Sequence, residues 1–189
     1  MLLVQLAKVA GARIFGTVSS EEKARLVQGL GADEVIRYDR EDVVARVLER
    51  TGGRGVDLVL DAVGASTWAG SLKALAPFGH LISYGSASGP PPPVDVQTLF
   101  EKSLKVSAYW LRTQHPPGLH RQALESLIRD VSEGRLRIHV GLKLPLAEAA
   151  EAHRRLEGRE TAGKVVLSVA GGTSLGARGD RPGQRDAAS

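Results

Sequence analysis

The feature that most constrains this chain is its regular alternation of short β-branched runs with helical segments, which begins on a helix. Met1-Leu2-Leu3-Val4-Gln5-Leu6-Ala7-Lys8-Val9-Ala10 reads as an apolar helix closed by Gly11, and a strand, Ala12 to Thr17, follows at once. Ser19 and Glu22 have the spacing of a capping box, which predicts a helix to about Gln28 closed by Gly29 and Gly31. Asp33 to Tyr38 then reads as a strand, and Glu41 to Arg50 as a helix with Val43, Val44, Val47 and Leu48 on one face. Val56-Asp57-Leu58-Val59-Leu60 is an apolar run of the kind that parallel strands covered on both faces carry. A helix across Trp68, Leu72 and Leu75 is broken by Pro77 and Gly79, and His80 to Tyr84 is the next strand. A polar loop, Gly85 to Gly89, and a stiff one, Pro90 to Pro93, lead to a short helix, Val96 to Lys102, and a strand, Leu104 to Tyr109.

Strands alternating with helices in this way predict an α/β doubly wound Rossmann-type parallel sheet over residues 1–135. Such a sheet ordinarily opens with a strand and a Gly-rich turn, whose amides meet a pyrophosphate at the start of the first helix. Here neither precedes the helix at Met1, so the expected sheet lacks its first strand and Gly-rich loop, and the chain reads as N-terminally truncated. That first strand is central in the usual 3-2-1-4-5-6 order, so the strands at Ala12 to Thr17 and Val56 to Leu60 would face an empty lane. Beyond the sheet, Leu119 to Glu133 has an amphipathic stripe of Ala123, Leu124, Leu127, Ile128 and Val131. Residues 136–169 form a further segment, with Leu136 to Val140 extended, Leu146 to Leu156 helical and Gly163 to Val169 a strand. Residues 170–189, rich in Gly, Arg, Asp and Ala, read as a disordered tail, and their Arg178-Gly179-Asp180 is a chance tripeptide there.

Composition narrows the function classes. A chain of 189 residues, 42% hydrophobic and 24% charged, is able to bury a core. The net charge of +4 is spread along the chain with no basic stripe, which argues against a nucleic-acid partner. Zero cysteines suits a reducing compartment and excludes a disulfide scaffold. No stretch approaches the roughly 18 apolar residues of a membrane span, and the N-terminal run is too short for a signal peptide, so a cytoplasmic location is expected. The five histidines, His80, His115, His120, His139 and His153, show no metal-ligand spacing. No Gly-x-Ser-x-Gly elbow appears. Neither a catalytic constellation nor a metal site is expected.

In a sheet of this kind ligands lie beyond the carboxyl ends of the strands. The strand whose end usually supplies an acid to the ribose of NAD ends here in Gly16-Thr17-Val18-Ser19-Ser20, with Glu21 and Glu22 already inside the helix and Lys23 one turn in. Hydroxyls, helix amides and an ammonium suit a 2′-phosphate, so NADP is favoured over NAD. The same residues taken singly also suit a cap and a solvated lysine. Tyr38 ends its strand where an adenine would lie, or is simply amphipathic packing. Asp61-Ala62-Val63-Gly64 and Ser83-Tyr84-Gly85-Ser86 close the next two strands with small residues that let a ligand approach the backbone.

Several of these segments carry a resemblance. Gly16 to Lys23, Leu30-Gly31-Ala32-Asp33-Glu34-Val35-Ile36-Arg37-Tyr38, Val56 to Gly64, Ser83 to Ser86 and Gly158-Arg159-Glu160-Thr161-Ala162-Gly163-Lys164-Val165-Val166-Leu167 closely resemble zinc-independent, zeta-crystallin-like quinone oxidoreductases of the medium-chain dehydrogenase/reductase superfamily. The resemblance covers residues 1 to about 169. It implies NADPH as cofactor, hydride transfer to a quinone or similar small electrophile, and a homodimer in the full-length protein through a strand like Leu104 to Tyr109. It also implies that Gly16, Thr17, Ser19, Ser20 and Lys23 hold the adenosine ribose and its 2′-phosphate, with Tyr38 beside the adenine. Val63, Ala87, Ser88 and Gly89 would line the cofactor toward its nicotinamide end, Tyr109, Trp110 and Leu111 would complete that wall, and Arg159 would reach back to the cofactor. Residues 136–169 resemble the return into a catalytic domain that has no counterpart in this chain, so the isolated chain is expected to be inactive. The alternative reading is a non-catalytic Rossmann-like interaction or dimerisation module.

Overall fold

The computed structural model describes residues 1–113, 116 and 118–169. The expected tail at 170–189, with its Arg178-Gly179-Asp180, and His115 lie outside the described residues. The chain forms two compact units that meet in sequence between Arg137 and Ile138.

In the first unit the order is α1 (Leu2–Val9), β1 (Phe15–Val18), α2 (Glu21–Gly29), β2 (Glu34–Arg37), α3 (Val43–Arg50), β3 (Val56–Asp61), α4 (Trp68–Ala74), β4 (Leu75–Ser83), α5 (Val96–Phe100), β5 (Lys105–Ala108) and α6 (Leu119–Ser132). Strand pairing is parallel throughout, as the alternation with helices requires. β1 lies on β2 with Phe15 opposite Glu34 and Val18 opposite Arg37. β4 runs between β3 and β5, with Ser83 opposite Asp61 on one side and Ala108 on the other. The strands thus form two separate sheets, β1-β2 and β3-β4-β5. No strand among the described residues pairs with the second edge of β1 or with the outer edge of β3.

Side-chain packing joins what the ladders do not. Alternation along β1 sends Val18 to the face covered by α1 and α2, where Ile14, Val18, Val27 and Ala32 are buried with Val4, Ala7 and Ala24 against them. Phe15 points the other way, onto a cluster of Ile36, Val47 and Ala74 that also receives Val43 and Val56. That cluster draws residues from β1, β2 and β3, so α3 and α4 hold the two sheets together on one face. A third cluster, Trp68, Leu72, Leu75 and Leu81, seats α4 on the larger sheet. A polar side chain enters the interior on α1: the Gln5 amide, 7% exposed, donates to the Arg137 carbonyl at 3.0 Å and accepts from the Arg137 N–H at 2.8 Å. Both ends of a buried amide are thereby satisfied.

Four expectations from sequence need correction. The cap of α2 is Ser20, extended at φ −152 and ψ 159 with its hydroxyl accepting from the Lys23 N–H, so a simple side-chain cap one residue later replaces the capping box expected at Ser19 and Glu22. β3 is not covered on both faces, since Leu58 and Leu60 are 49% and 40% exposed while Val59 packs on the Trp68 cluster. The stripe on α6 is likewise open, for none of its residues is buried. Finally, β4 starts at Leu75 rather than His80, and the register slips between Val56 and Leu58, which extrudes Ala76 to Gly79 as an irregularity.

The second unit contains β6 (Val140–Pro145), a 3-10 turn (Leu146–Glu148), α7 (Ala149–Glu157) and β7 (Lys164–Ser168). β6 and β7 pair in parallel, with Leu144 opposite Leu167. The extended stretch expected at Leu136 to Val140 falls later, because Leu136 is itself buried in the first unit, 3% exposed. In the first turn of α7, hydrogen bonds from Arg154 and then Arg155 hold the Glu151 carboxyl down at about 2.

The two faces of the larger sheet give a direct test. Leu81 is fully buried, so Leu81→Ala should cost about 2–5 kcal/mol through lost contacts and the cavity left behind. Leu60→Thr, on the open face, should cost under about 1 kcal/mol and reduce self-association. Urea denaturation and sedimentation of both variants check this, and a Leu60→Thr as damaging as Leu81→Ala would show that the face is covered.

Candidate functional site

The site is built from the turns that leave the carboxyl ends of β1 to β5. Its anchor is Asp61, the last residue of β3 and only 4% exposed. One carboxylate oxygen accepts from the N–H groups of Val63 at 2.7 Å and Gly64 at 3.1 Å. The other accepts from the hydroxyls of Thr67 at 2.7 Å and Ser71 at 2.9 Å. Burial alone would raise the carboxyl's pKa, but the four donors outweigh it, Thr67 most, and hold it below the usual carboxylate range. Tyr84 is pushed the other way, its phenol raised by burial and then by the Asp61 charge.

That carboxylate fixes a double turn. Gly64, at φ 89, lies so close to the Gly89 carbonyl that a Cβ on it would stand 2.4 Å from that oxygen, so only glycine fits. The Ser88 hydroxyl donates to the Val63 carbonyl at 2.8 Å and accepts from the Ser66 N–H at 3.0 Å. Backbone bonds add Ala87 N–H to Ala62 O at 3.2 Å, Ser88 N–H to Val63 O at 2.8 Å and Ala65 N–H to Gly89 O at 3.1 Å. Val63, Ala87, Ser88 and Gly89, named from sequence, are therefore brought together as one interlocked pair of loops. Next along the sheet, the Tyr109 N–H donates to the Ser83 carbonyl at 2.8 Å, and Tyr109, Trp110 and Leu111 are all largely exposed.

At the other sheet, Ser19 and Ser20 follow β1, with Lys23 in the first turn of α2 and Tyr38 half-exposed at the end of β2. The Tyr38 N–H donates to the Val18 carbonyl at 3.1 Å, which closes the two strand ends side by side. Thr17 is exposed, whereas Gly16 is buried beneath α2, where a Cβ would stand 2.8 Å from a Val27 methyl. Gly16 thus lets the helix approach the strand. Arg159 belongs to the second unit, just beyond α7, with a left-handed φ of 57.

Sequence reading did not assign Asp61, Tyr84 or Arg37. Arg37 ends β2 with its guanidinium on Asp39, at 2.6 and 3.2 Å, and on Glu21 at 3.3 Å. Its hydrogen bond holds the Asp39 carboxyl below the usual range. For Asp61 a signal exists in the sequence, an aspartate before a small-residue turn with Thr67 and Ser71 one helical turn apart behind it. The hollow of about 490 Å³ between α3 and α4, lined by Asp42, Val44, Leu48, Gly70 and Lys73 among others, lies on different residues from all of these.

A protein-family model described as zinc-binding dehydrogenase matches residues 30–167, most of the chain. The chain belongs to this family. Among its relatives, a quinone oxidoreductase of Pseudomonas aeruginosa is 43% identical over 165 residues, 86% of this chain and 51% of that protein. A 2-haloacrylate reductase of a Burkholderia species is 36% identical over 170 residues, 88% of this chain and 51% of that one. The solved structure of Escherichia coli quinone oxidoreductase complexed with NADPH superposes with a TM-score of 0.81 at 35% identity, over 88% of this chain and 53% of that chain. The chain spans about half the length of the relatives it matches. These likenesses place it with the quinone oxidoreductases of the medium-chain dehydrogenase/reductase superfamily, on a Rossmann-type parallel α/β fold.

The zinc in the family's description does not fit the residues of this chain. It has no cysteine, and among the described residues no three His, Asp or Glu side chains are grouped to hold a metal ion. The small-residue turns at the strand ends pack closely on one another, Gly64 against the Gly89 carbonyl and Gly85 against that of Ala62. No helix among the described residues is long and apolar enough to cross a membrane.

The Asp61 cluster predicts a pH dependence. A carboxyl whose folded pKa is depressed adds stability that is present above its ordinary value near 3.8 and is lost as the pH falls through the folded value. Asp61→Asn should therefore cost about 2–3 kcal/mol at pH 7 and flatten the loss of stability below about pH 4. Chemical denaturation of both proteins between pH 2 and 7 measures it, and parallel curves would contradict the assignment.

Proposed function

We propose that this chain is the nucleotide-binding part of an NADPH-dependent oxidoreductase that delivers hydride to a quinone or a similarly electrophilic small molecule. The observation that carries the reading is the set of interlocked turns at the strand ends, on a chain whose relatives include a quinone oxidoreductase solved with NADPH. The cofactor supplies the hydride when bound, and the protein's part is to bind and orient it.

In this reading Thr17, Ser19, Ser20 and Lys23 hold the adenosine ribose and its 2′-phosphate, and Tyr38 lies along the adenine. The ammonium of Lys23 and the first amides of α2 are the attractive terms for a phosphate there. Val63 and the loop Ala87 to Gly89, held by Asp61 and Ser88, bear on the nicotinamide end, and rigid backing keeps that ring in one orientation. Tyr109, Trp110 and Leu111 supply exposed apolar surface beside it. A second copy pairing through β5, giving a homodimer of the full-length protein, and a cytoplasmic location complete the reading.

Calorimetric titration tests it. The chain should bind NADPH more tightly than NADH, and Lys23→Ala should weaken NADPH about tenfold or more, the worth of a charge-assisted contact, while leaving NADH nearly unchanged. Equal affinity for the two cofactors in the parent chain, or equal losses in the variant, would overturn the NADPH assignment.

A further inference from the structure

We infer that Arg37 sets the preference of the adenosine site for a 2′-phosphate, by leaving Glu21 and pairing with the phosphate while Asp39 keeps it aimed. The inference rests on the nucleotide-binding reading above and adds to it a residue that the sequence motifs did not assign.

The geometry separates an anchor from an exchangeable partner. Arg37 stands opposite Val18, directly across from the strand end that leads into Ser19, Ser20 and α2. Its side chain is only 16% exposed, so it does not wave in solvent like a surface arginine. Asp39 takes two of its N–H groups, Nη2 at 2.6 Å and Nε at 3.2 Å, a forked contact that fixes the plane of the guanidinium. Glu21 takes one, Nη1 at 3.3 Å, and is itself 58% exposed. The Glu21 contact is therefore long, single and solvated, the kind of pair that contributes little and is readily exchanged. Three of five donors are engaged by the described residues, which leaves two for an incoming anion.

Charge gives the exchange its direction. A phosphate monoester near neutral pH carries between one and two negative charges. At the start of α2 it would meet Glu21, the first residue of the helix, which without Arg37 would repel it. The neighbouring charges are accounted for: Arg25 holds the other Glu21 oxygen at 3.4 Å, Arg40 approaches Asp39 at 3.8 Å, and Arg46 holds Glu41 at 3.4 Å, while a Glu41 oxygen accepts the Arg37 backbone N–H. Arg37 is the cation that touches both Glu21 and the end of β2. A ligand without the 2′-phosphate brings nothing that Arg37 prefers over Glu21, so this side chain adds to Lys23 in telling the two ligand classes apart.

The test compares adenosine 2′,5′-bisphosphate with 5′-AMP by calorimetry on the full chain. Arg37→Ala should weaken the bisphosphate about tenfold and change 5′-AMP less than about twofold, Arg37→Lys should recover part of the loss, and Glu21→Gln should tighten the bisphosphate alone. Unliganded melting curves show whether each variant is folded, and the Lys and Gln variants, which keep the charge or remove an exposed one, carry the test should Arg37→Ala unfold. A parent chain that favours the bisphosphate and loses that preference in Lys23→Ala but not in Arg37→Ala would overturn the role of Arg37 alone. A parent chain that binds both ligands equally would overturn the NADPH reading and this inference with it. Equal weakening of both ligands by Arg37→Ala would mark a structural role and also refute the inference.

Discussion

A single buried carboxylate organises the working end of this molecule. Asp61 ends β3, and its four donors come from the turn that follows and from the helix after it. A charge that is nearly excluded from water is tolerable only when its lone pairs are filled, and here they are filled by groups that must also be positioned. The same bonds therefore solvate the carboxylate, close the Val63-Gly64 turn and fix the start of α4. The Gly85 to Gly89 loop then locks onto that turn through Ser88 and the close approach of Gly64 to Gly89. Nothing in this arrangement is itself reactive. It is a rigid floor, and on the proposed reading its use is to hold a bound cofactor in one orientation.

The rest of the first unit is arranged to present that floor beside a second one. The ladders of β1-β2 and β3-β4-β5 do not meet, yet Phe15, Ile36 and Val56 share a cluster with Val47 and Ala74. The two sheets are thus connected by side-chain packing under α3 and α4 rather than by backbone hydrogen bonds. Hydrophobic contact is less directional than a ladder, so the relation between the sheets depends on close packing at a few residues. Open strand edges and the exposed Leu58 and Leu60 mark the face where that packing has no counterpart among the described residues.

Much of this was legible in the sequence, for reasons visible residue by residue. The alternation of elements, the parallel pairing and the loops at the strand ends follow from periodicity and from turn residues such as Gly64 and Gly89. The resemblance of Gly16 to Lys23 and Val56 to Gly64 to quinone oxidoreductases led to the family. What stayed hidden was three-dimensional. Apolar content in Val56 to Leu60 says that burial is favourable, not that a neighbour exists to provide it, and the same holds for the stripe on α6. The cap moved from Ser19 to Ser20 although only Ser19 has a Glu three residues on, because either hydroxyl can cap a helix and the backbone chooses. Gly16 also has a packing role that the sequence does not show, since Val27 sits directly above it. Arg37 reaches Glu21 across 16 residues, a pairing that no local window joins, whereas the Asp61 partners lie within ten residues and were legible but not assigned.

On the proposed reading, the strand ends of both sheets bind one nucleotide, organised by the Asp61 and Arg37 clusters. Amide chemical-shift mapping of the isotope-labelled chain during titration with NADP tests it most directly. The account predicts saturable shifts concentrated at residues 17–23, 37–39, 61–66, 84–89 and 109–111, with α5 and α6 unmoved. Shifts absent at millimolar NADP, or confined to residues outside the strand ends such as the hollow between α3 and α4, would contradict it.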